Sequence, residues 1–342
     1  MKGNRRNVCS VACLFAASWL TAVAPGYAAT TVLATSGFND QTGINGNPTA
    51  NSPFQIGVTV HGHGVGELGW DAPWARLGGF DDRAPVSSEF VYEGDAATKL
   101  FADNTFGTSM ERPWSQIVPK VRIDTYVLIR PSASMRGNAT FTNEGGEIPA
   151  RTAAYWEIQS NGNIRVFDKS TNQSVATGFS TLPNVWNKYS LILDTPSQTW
   201  SFLFNDRASG TTQSLSFLNP TNYVDRVNLQ ALGTLNSYVD AVQISVAPVP
   251  ADFTEDNGVN AADLAAWTTG FGTTNVATHG QGDANYDQSV DGRDFLIWQR
   301  QLGVASSAIT VVPEPASAWI FAIGVAAVIS RRRRWLLQSA RP

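Results

Sequence analysis

Residues 155–167 read Tyr155-Trp156-Glu157-Ile158-Gln159-Ser160-Asn161-Gly162-Asn163-Ile164-Arg165-Val166-Phe167. Two runs rich in aromatic and β-branched residues flank Asn161-Gly162, a dipeptide suited to the positive backbone angles of a two-residue hairpin turn. The same alternation of apolar and polar side chains recurs from Val121 to Ile129, from Tyr189 to Leu193 and from Trp200 to Phe204, with Thr195-Pro196-Ser197-Gln198 turning the chain between the last two. Period-two alternation puts every second side chain on one face, so each run can bury one side and wet the other. No long helical period interrupts residues 30–247. About a dozen short strands with regular turns predict a mainly β fold, an antiparallel jelly-roll-like sandwich of two sheets.

The strand order and the placement of aromatics support a narrower expectation. The stretches Tyr155–Ile158, Arg165–Phe167, Trp186-Asn187-Lys188-Tyr189-Ser190-Leu191, Trp200–Asn205 and Tyr238–Ile244 resemble the concanavalin-like, laminin-G-like sandwiches over residues 30–248. That resemblance implies a fold shared by lectin-like modules, glycosidases and lyases, so chemistry has to be sought in side chains. A retaining glycosidase needs two carboxylates about 5 Å apart. Glu157 stands alone on its run, and the adjacent Asp81 and Asp82 would point apart if extended, so no catalytic residue is assigned. His61 and His63 could share a strand face and hold a metal, or lie in a flexible loop among Gly62, Gly64 and Gly66; a third ligand is missing from the sequence around them. Trp156, Trp186 and Trp200 alternate with apolar residues and read as core. Trp70 and Trp74, in a segment rich in Gly and Pro, are the candidates for stacking on a sugar ring at the surface.

Beyond the β region an acidic pattern occurs twice. Asp252, Thr254, Asp256, Asn260 and Asp263 occupy positions 1, 3, 5, 9 and 12 of a loop, and Asp283, Asn285, Asp287, Asp291 and Asp294 repeat that register thirty-one residues later. Oxygen donors at this spacing suit a calcium ion, because alternate residues of a tight loop turn inward and a carboxylate at position 12 closes the shell. The residues that follow repeat too. Leu264, Trp267 and Phe271 match Phe295, Trp298 and Leu302 at spacings that share one helical face, and Gly272 and Gly303 stop both helices.

Residues 249–306 resemble a dockerin module, two calcium loop-helix repeats without the leading helix of an EF-hand. The resemblance implies calcium as cofactor, with the ten side chains above as ligands and the backbone carbonyls of Gly258 and Ser289 at position 7. Thr254 departs from the usual Asn or Asp, and Asn257 and Gln288 replace the usual Gly at position 6. Gln is the poorer fit to a left-handed backbone. Ala261-Ala262 and Gly292-Arg293 stand where cohesin-binding dockerins carry Ser-Thr pairs, which leaves open a cohesin-like partner, another surface protein or a spacer role.

The two ends read as addresses. Residues 1–29 have a basic start (Lys2, Arg5, Arg6), an apolar run and small residues at Ala28 and Ala29, as a secretory signal does. Both cysteines, Cys9 and Cys13, lie there, so removal of the signal would leave a chain without thiols. Residues 307–342 contain Pro313-Glu314-Pro315, an apolar stretch to Ile329 and the cluster Arg331, Arg332, Arg333 and Arg334. This order resembles the PEP-CTERM sorting signal. It implies a transmembrane helix holding the chain at the membrane, an exosortase-type partner, and delivery to the cell envelope or the extracellular space.

Between these ends, 16 Lys and Arg face 27 Asp and Glu. A body this acidic repels phosphate backbones and excludes nucleic acid as a general partner. The expectation is an exported, non-enzymatic envelope or matrix protein whose sandwich binds a glycan or a surface protein. A polysaccharide-degrading enzyme and a purely structural surface protein are the alternatives.

Overall fold

A computed structural model describes residues 31–38, 54, 59–64, 67, 69–76, 84–94, 96–100, 108–142, 150–232, 235–256 and 258–304. The secretory signal, Asp81, Asp82, Asn257 and the sorting tail with Pro313, Glu314, Pro315 and Arg331 to Arg334 lie outside the described residues. Among the described residues no helix is long and apolar enough to cross a membrane.

The fold is mainly β, an antiparallel sandwich followed by two small helices. The eight-stranded sheet runs β13 (Leu215–Ser216), β12 (Thr199–Phe204), β11 (Trp186–Asp194), β6 (Lys120–Ile129), β15 (Ser237–Val246), β4 (Ala97–Leu100) and β3 (Val86–Ser87), with β1 (Val32–Ser36) added along β15. The seven-stranded sheet runs β10 (Gln173–Ser180), β9 (Asn163–Asp168), β8 (Thr152–Ile158), β7 (Ser134–Thr140), β14 (Arg226–Leu232), β5 (Ser109–Pro113) and β2 (Ala75–Arg76). The chain meanders through β7 to β10 in one sheet, crosses to β11, β12 and β13 in the other, and returns to each sheet once more through β14 and β15.

Alternation decides which side chains meet between the sheets. On β6, Val121, Ile123, Val127 and Ile129 are buried, and the intervening Arg122, Asp124 and Tyr126 fall on the opposite face. Trp156 of β8 stacks on Tyr189 of β11 with ring centroids 4.4 Å apart, tying the two sheets together. Gly137 lies opposite Trp156 on β7, and a Cβ there would come within 2.5 Å of the indole. Trp200 is equally buried, whereas Trp186, expected in the core, is only partly covered. The β8–β9 hairpin forms, but its turn differs from the expected two-residue type. Gly162 N–H donates to Gln159 O at 2.8 Å, and Gly162 has φ +84° while Asn161 is absent from the left-handed region. Ser160-Asn161 therefore make the bend and Gly162 supplies the left-handed residue that returns the chain to register.

After β15 the chain forms α1 (Ala261–Gly270) and α2 (Gly292–Gln301). Asn260 caps α1 by accepting from Ala262 N–H, and Asp263 reaches back to the Asn260 N–H. Asp291 and Asp294 do the same for α2. Such reciprocal caps satisfy N–H groups that a helix start leaves unpaired. The two units interlock as a pair. Trp267 Nε1 donates to Asp291 O and Trp298 Nε1 to Asn260 O, both at 3.0 Å. Val259 exchanges backbone bonds with Gly303 and Val304, as Val290 does with Gly272 and Thr273. Ala251, Phe253, Val259, Ala284 and Trp298 form the buried centre. Phe271 and Leu302, expected on the packing face, are 59% and 55% exposed, because each sits at the C-cap where the helix has already ended.

Candidate functional site

The two acidic loops repeat in three dimensions. The position-12 carboxylates accept from backbone N–H groups at position 3 (Thr254, 2.9 Å; Asn285, 3.3 Å) and position 9 (Asn260 and Asp291, both 2.8 Å). The position-1 carboxylates accept from position 5, Asp256 N at 3.0 Å and Asp287 N at 3.1 Å. The position-5 carboxylates accept from Gly258 N and Ser289 N, both at 2.9 Å. Position 4 is left-handed in both loops, at Glu255 (φ 53°) and Tyr286 (φ 59°), and Gln288 at position 6 adopts φ 66°. These bonds wind each loop inward.

One oxygen each of Asp252, Asp256 and Asp263 lie within 4.8 Å of one another, and no other such group of three is found among the described residues. A set of hard carboxylate oxygens this close fits a calcium ion in the first loop. Two neighbours are turned away from that role: Thr254 Oγ1 donates to Asp263 at 2.9 Å, and Asn260 presents its amide nitrogen to Asp256 and to the Gly258 carbonyl. In the second loop, burial and then the charges of Asp294 and Asp287 push the Asp283 carboxyl up to about 6.

The second loop also touches the sandwich. Ala208 N–H donates to Tyr286 O at 2.8 Å and Gln213 Nε2 to Asn285 O at 2.9 Å. Beside this contact is a cleft of about 280 Å³, walled on one side by Arg122, Asp124, Lys188 and Asp206 of the eight-stranded sheet and its β12 exit, and on the other by Glu255, His279 and Tyr286. Arg122 Nε meets both Asp124 oxygens at 2.8 and 3.1 Å and its Nη2 meets Asp206 at 2.5 Å. Lys188 Nζ lies 3.4 Å from Asp124 and 3.0 Å from Asp206. Burial opposes ionisation of Asp206, but Arg122 and Lys188 outweigh it and hold the carboxyl below its usual range. His279, with Nδ1 3.9 Å away, lowers Glu255.

A second depression of about 190 Å³ shares Asp124, Lys188 and Gln243 with the first and adds Tyr92 and Tyr126. These two rings stack with centroids 3.7 Å apart at 20°, and Trp186 meets Tyr92 edge-on at 6.0 Å. Tyr92 remains 43% exposed. The two depressions form one continuous groove with an aromatic end and a charged end. The alternation of β6 marked Arg122, Asp124 and Tyr126 as outward-facing, whereas Lys188 shares its face with Trp186, which the sequence placed in the core. Nothing in the sequence brings Tyr92, Asp206 or Tyr286 beside them.

Trp70 and Trp74 take another place from the one expected. Trp74 is fully buried, and Trp70 packs against the same core. The two indoles pack against each other with centroids 5.7 Å apart, and the Arg112 guanidinium lies 4.6 Å from the Trp70 ring centroid and 5.7 Å from that of Trp74. Arg112 pairs with Glu67, bonds the Gly64 carbonyl and donates to Ala72 O at 2.8 Å. Burial, only partly offset by Arg112, raises the Glu67 carboxyl. A Gly- and Pro-rich stretch suggested an exposed loop, but Trp74 is buried in the core and Trp70 is half-buried over the Arg112 guanidinium. His61 is drawn into the same region, with Nδ1 3.2 Å from Thr59 Oγ1 and Nε2 3.4 Å from Ser109 O. His61 and His63 are not among the clustered metal-binding candidates of the described residues.

Residues 311–334 match the PEP-CTERM protein-sorting motif, which indicates an exported protein sorted through a C-terminal tail to the cell envelope. No curated protein matches the sequence. Among solved structures, the chain is similar to a sialidase (11% identity, TM-score 0.40), with 67% of this chain covering 23% of that one. It is also similar to the carbohydrate-binding module CBM66 from Bacillus subtilis (6% identity, TM-score 0.33, 56% of this chain and 99% of that one). A third similarity is to a Bacillus licheniformis β-glucanase (9% identity, TM-score 0.35, 51% and 92%). The chain thus spans less than a quarter of the sialidase, and at these identities none of the three assigns a ligand or an activity.

Proposed function

We propose that this is a non-enzymatic protein of the cell envelope whose sandwich binds a glycan in the groove on the outer face of its eight-stranded sheet. The supporting observation is the groove itself, where a stacked tyrosine pair with Tyr92 exposed adjoins carboxylate, ammonium and amide groups. Sugars present both a flat apolar ring face and a rim of hydroxyls, and such a surface answers both. Glycoside hydrolysis requires a carboxylic acid kept protonated near neutral pH beside a second carboxylate. Asp124 and Asp206 are instead both tied to Arg122 and Lys188 as ion pairs, an arrangement that supports binding rather than cleavage. The acidic loop pair is the dockerin-like part of the reading. It binds calcium through Asp252, Asp256 and Asp263 and through the matching residues of the second loop, and so holds the helix pair as a calcium-dependent attachment point for a cohesin-like or other surface protein. The test is a glycan array probed with the full chain in calcium, followed by product analysis of every hit. Retention without cleavage is expected; released sugar would move the protein to the enzyme class.

A further inference from the structure

We infer that the groove takes an uncharged oligosaccharide, with one pyranose ring stacked on Tyr92 and its hydroxyls bonded to Asp124, Lys188 and Gln243. This rests on the glycan reading above and adds the chemical class of the ligand and the residue that positions it.

The inference follows from charge and shape. Tyr92 presents one ring face to Tyr126 at stacking distance, so the partner ring props it and its exposed side offers a flat apolar surface. Beside it lie the two cations of the groove, Arg122 and Lys188, each already bound to Asp124 and Asp206. Glu93 and Glu255 add two more carboxylates to the walls, against the single imidazole of His279. A uronate, sulfate or sialate would have to displace a carboxylate from Arg122 or Lys188 and would meet an excess of negative charge. A neutral sugar needs no such exchange. Each hydroxyl can donate to a carboxylate oxygen while accepting from the ammonium or the Gln243 amide, so the ion-pair network becomes a ready-made set of alternating partners. Charge-assisted bonds to fixed groups are the stronger kind, and the network fixes Asp124 and Lys188 before the ligand arrives.

The experiment is titration calorimetry of the full chain, in calcium, against neutral probes (cellohexaose, xylohexaose, mannohexaose) and acidic ones (hexagalacturonate, alginate hexamer, sialyllactose). At least one neutral probe is expected to bind ten times or more tightly than every acidic one. Tyr92→Ala should weaken it at least tenfold, and Tyr92→Phe should leave it within about threefold. Near-ultraviolet circular dichroism of both variants separates lost binding from lost fold. Tighter binding of an acidic probe would overturn the ligand class while leaving the glycan reading standing. Unchanged affinity in Tyr92→Ala would overturn the stacking assignment. Failure of every probe, neutral and acidic, would overturn both this inference and the glycan reading beneath it.

Discussion

The first acidic loop, Asp252 to Asp263, and the second, Asp283 to Asp294, share a register, a hydrogen-bond pattern and a cap, yet occupy different surroundings. The first brings three carboxylates within 4.8 Å of one another. The second gives the backbone carbonyls of Asn285 and Tyr286 to the sandwich and sets the Tyr286 ring against His279 at 5.5 Å. Duplication thus supplied two equal local folds; both position-4 residues, Glu255 and Tyr286, line the groove, but only the second loop bonds the sandwich through its backbone carbonyls among the described residues. What a repeat contributes is decided by what its position 4 touches: Glu255 is 41% exposed, and Tyr286 is largely covered.

The largest expected break of this symmetry is at the interlocked indoles. Trp298→Ala removes the more buried of the pair and should cost about 3–5 kcal/mol, whereas Trp267→Ala should cost less; urea unfolding of the two variants compares them. Next is calcium. Chelation should lower stability by about 2.7 kcal/mol when free ion stood at 100 times its dissociation constant. By calorimetry, Asp263→Asn should remove the tighter site and Asp294→Asn the weaker, because among the described residues the first loop alone brings three carboxylates within 4.8 Å of one another.

A background from the sandwich must be separated from any pH dependence of the loops. Burial pushes the Asp240 carboxyl up to about 7, against bonds from Glu93, Ala241 and Tyr92 N–H groups. The folded protein therefore keeps a proton that the unfolded chain, with a value of about 3.9, gives up. This contribution is full below about pH 4 and is lost as pH rises to about 7, a fall of about 2 kcal/mol between pH 5 and 7. Asp240→Asn should flatten that slope in denaturant titrations, and any slope that calcium still abolishes belongs to the loops.

Smaller effects separate the two position-4 residues. Tyr286→Ala should cost about 1–2 kcal/mol through lost packing against the sandwich, while Glu255→Ala, at an exposed site, should stay within about 0.5 kcal/mol; thermal unfolding of each variant measures the gap. A gain rather than a loss is expected of Gln288→Gly, which relieves a left-handed side chain and should stabilise the protein by about 1 kcal/mol. If the gain disappears in calcium, the ion rather than the backbone sets that loop's geometry.

Much of this was legible because it is local. Alternation along Val121 to Ile129 fixed an inward and an outward face, and the thirty-one-residue repeat fixed two helices with matched tryptophans. The burial of Trp74 was not legible because its partner, Arg112, lies about forty residues away in sequence, and no local pattern announces a buried guanidinium. The exposure of Phe271 and Leu302 turned on where two helices stopped.

The sequence by itself determined the elements that depend on neighbours along the chain: strand faces, the two short helices and the acidic registers, together with the sorting motif at residues 311–334. Only the tertiary structure decided that Tyr92, Tyr126, Lys188, Asp206 and Tyr286 share one groove. Those residues come from five separate segments, and what brings them together is the packing of two sheets and a docked loop, whose long-range pairings no periodicity in the chain encodes.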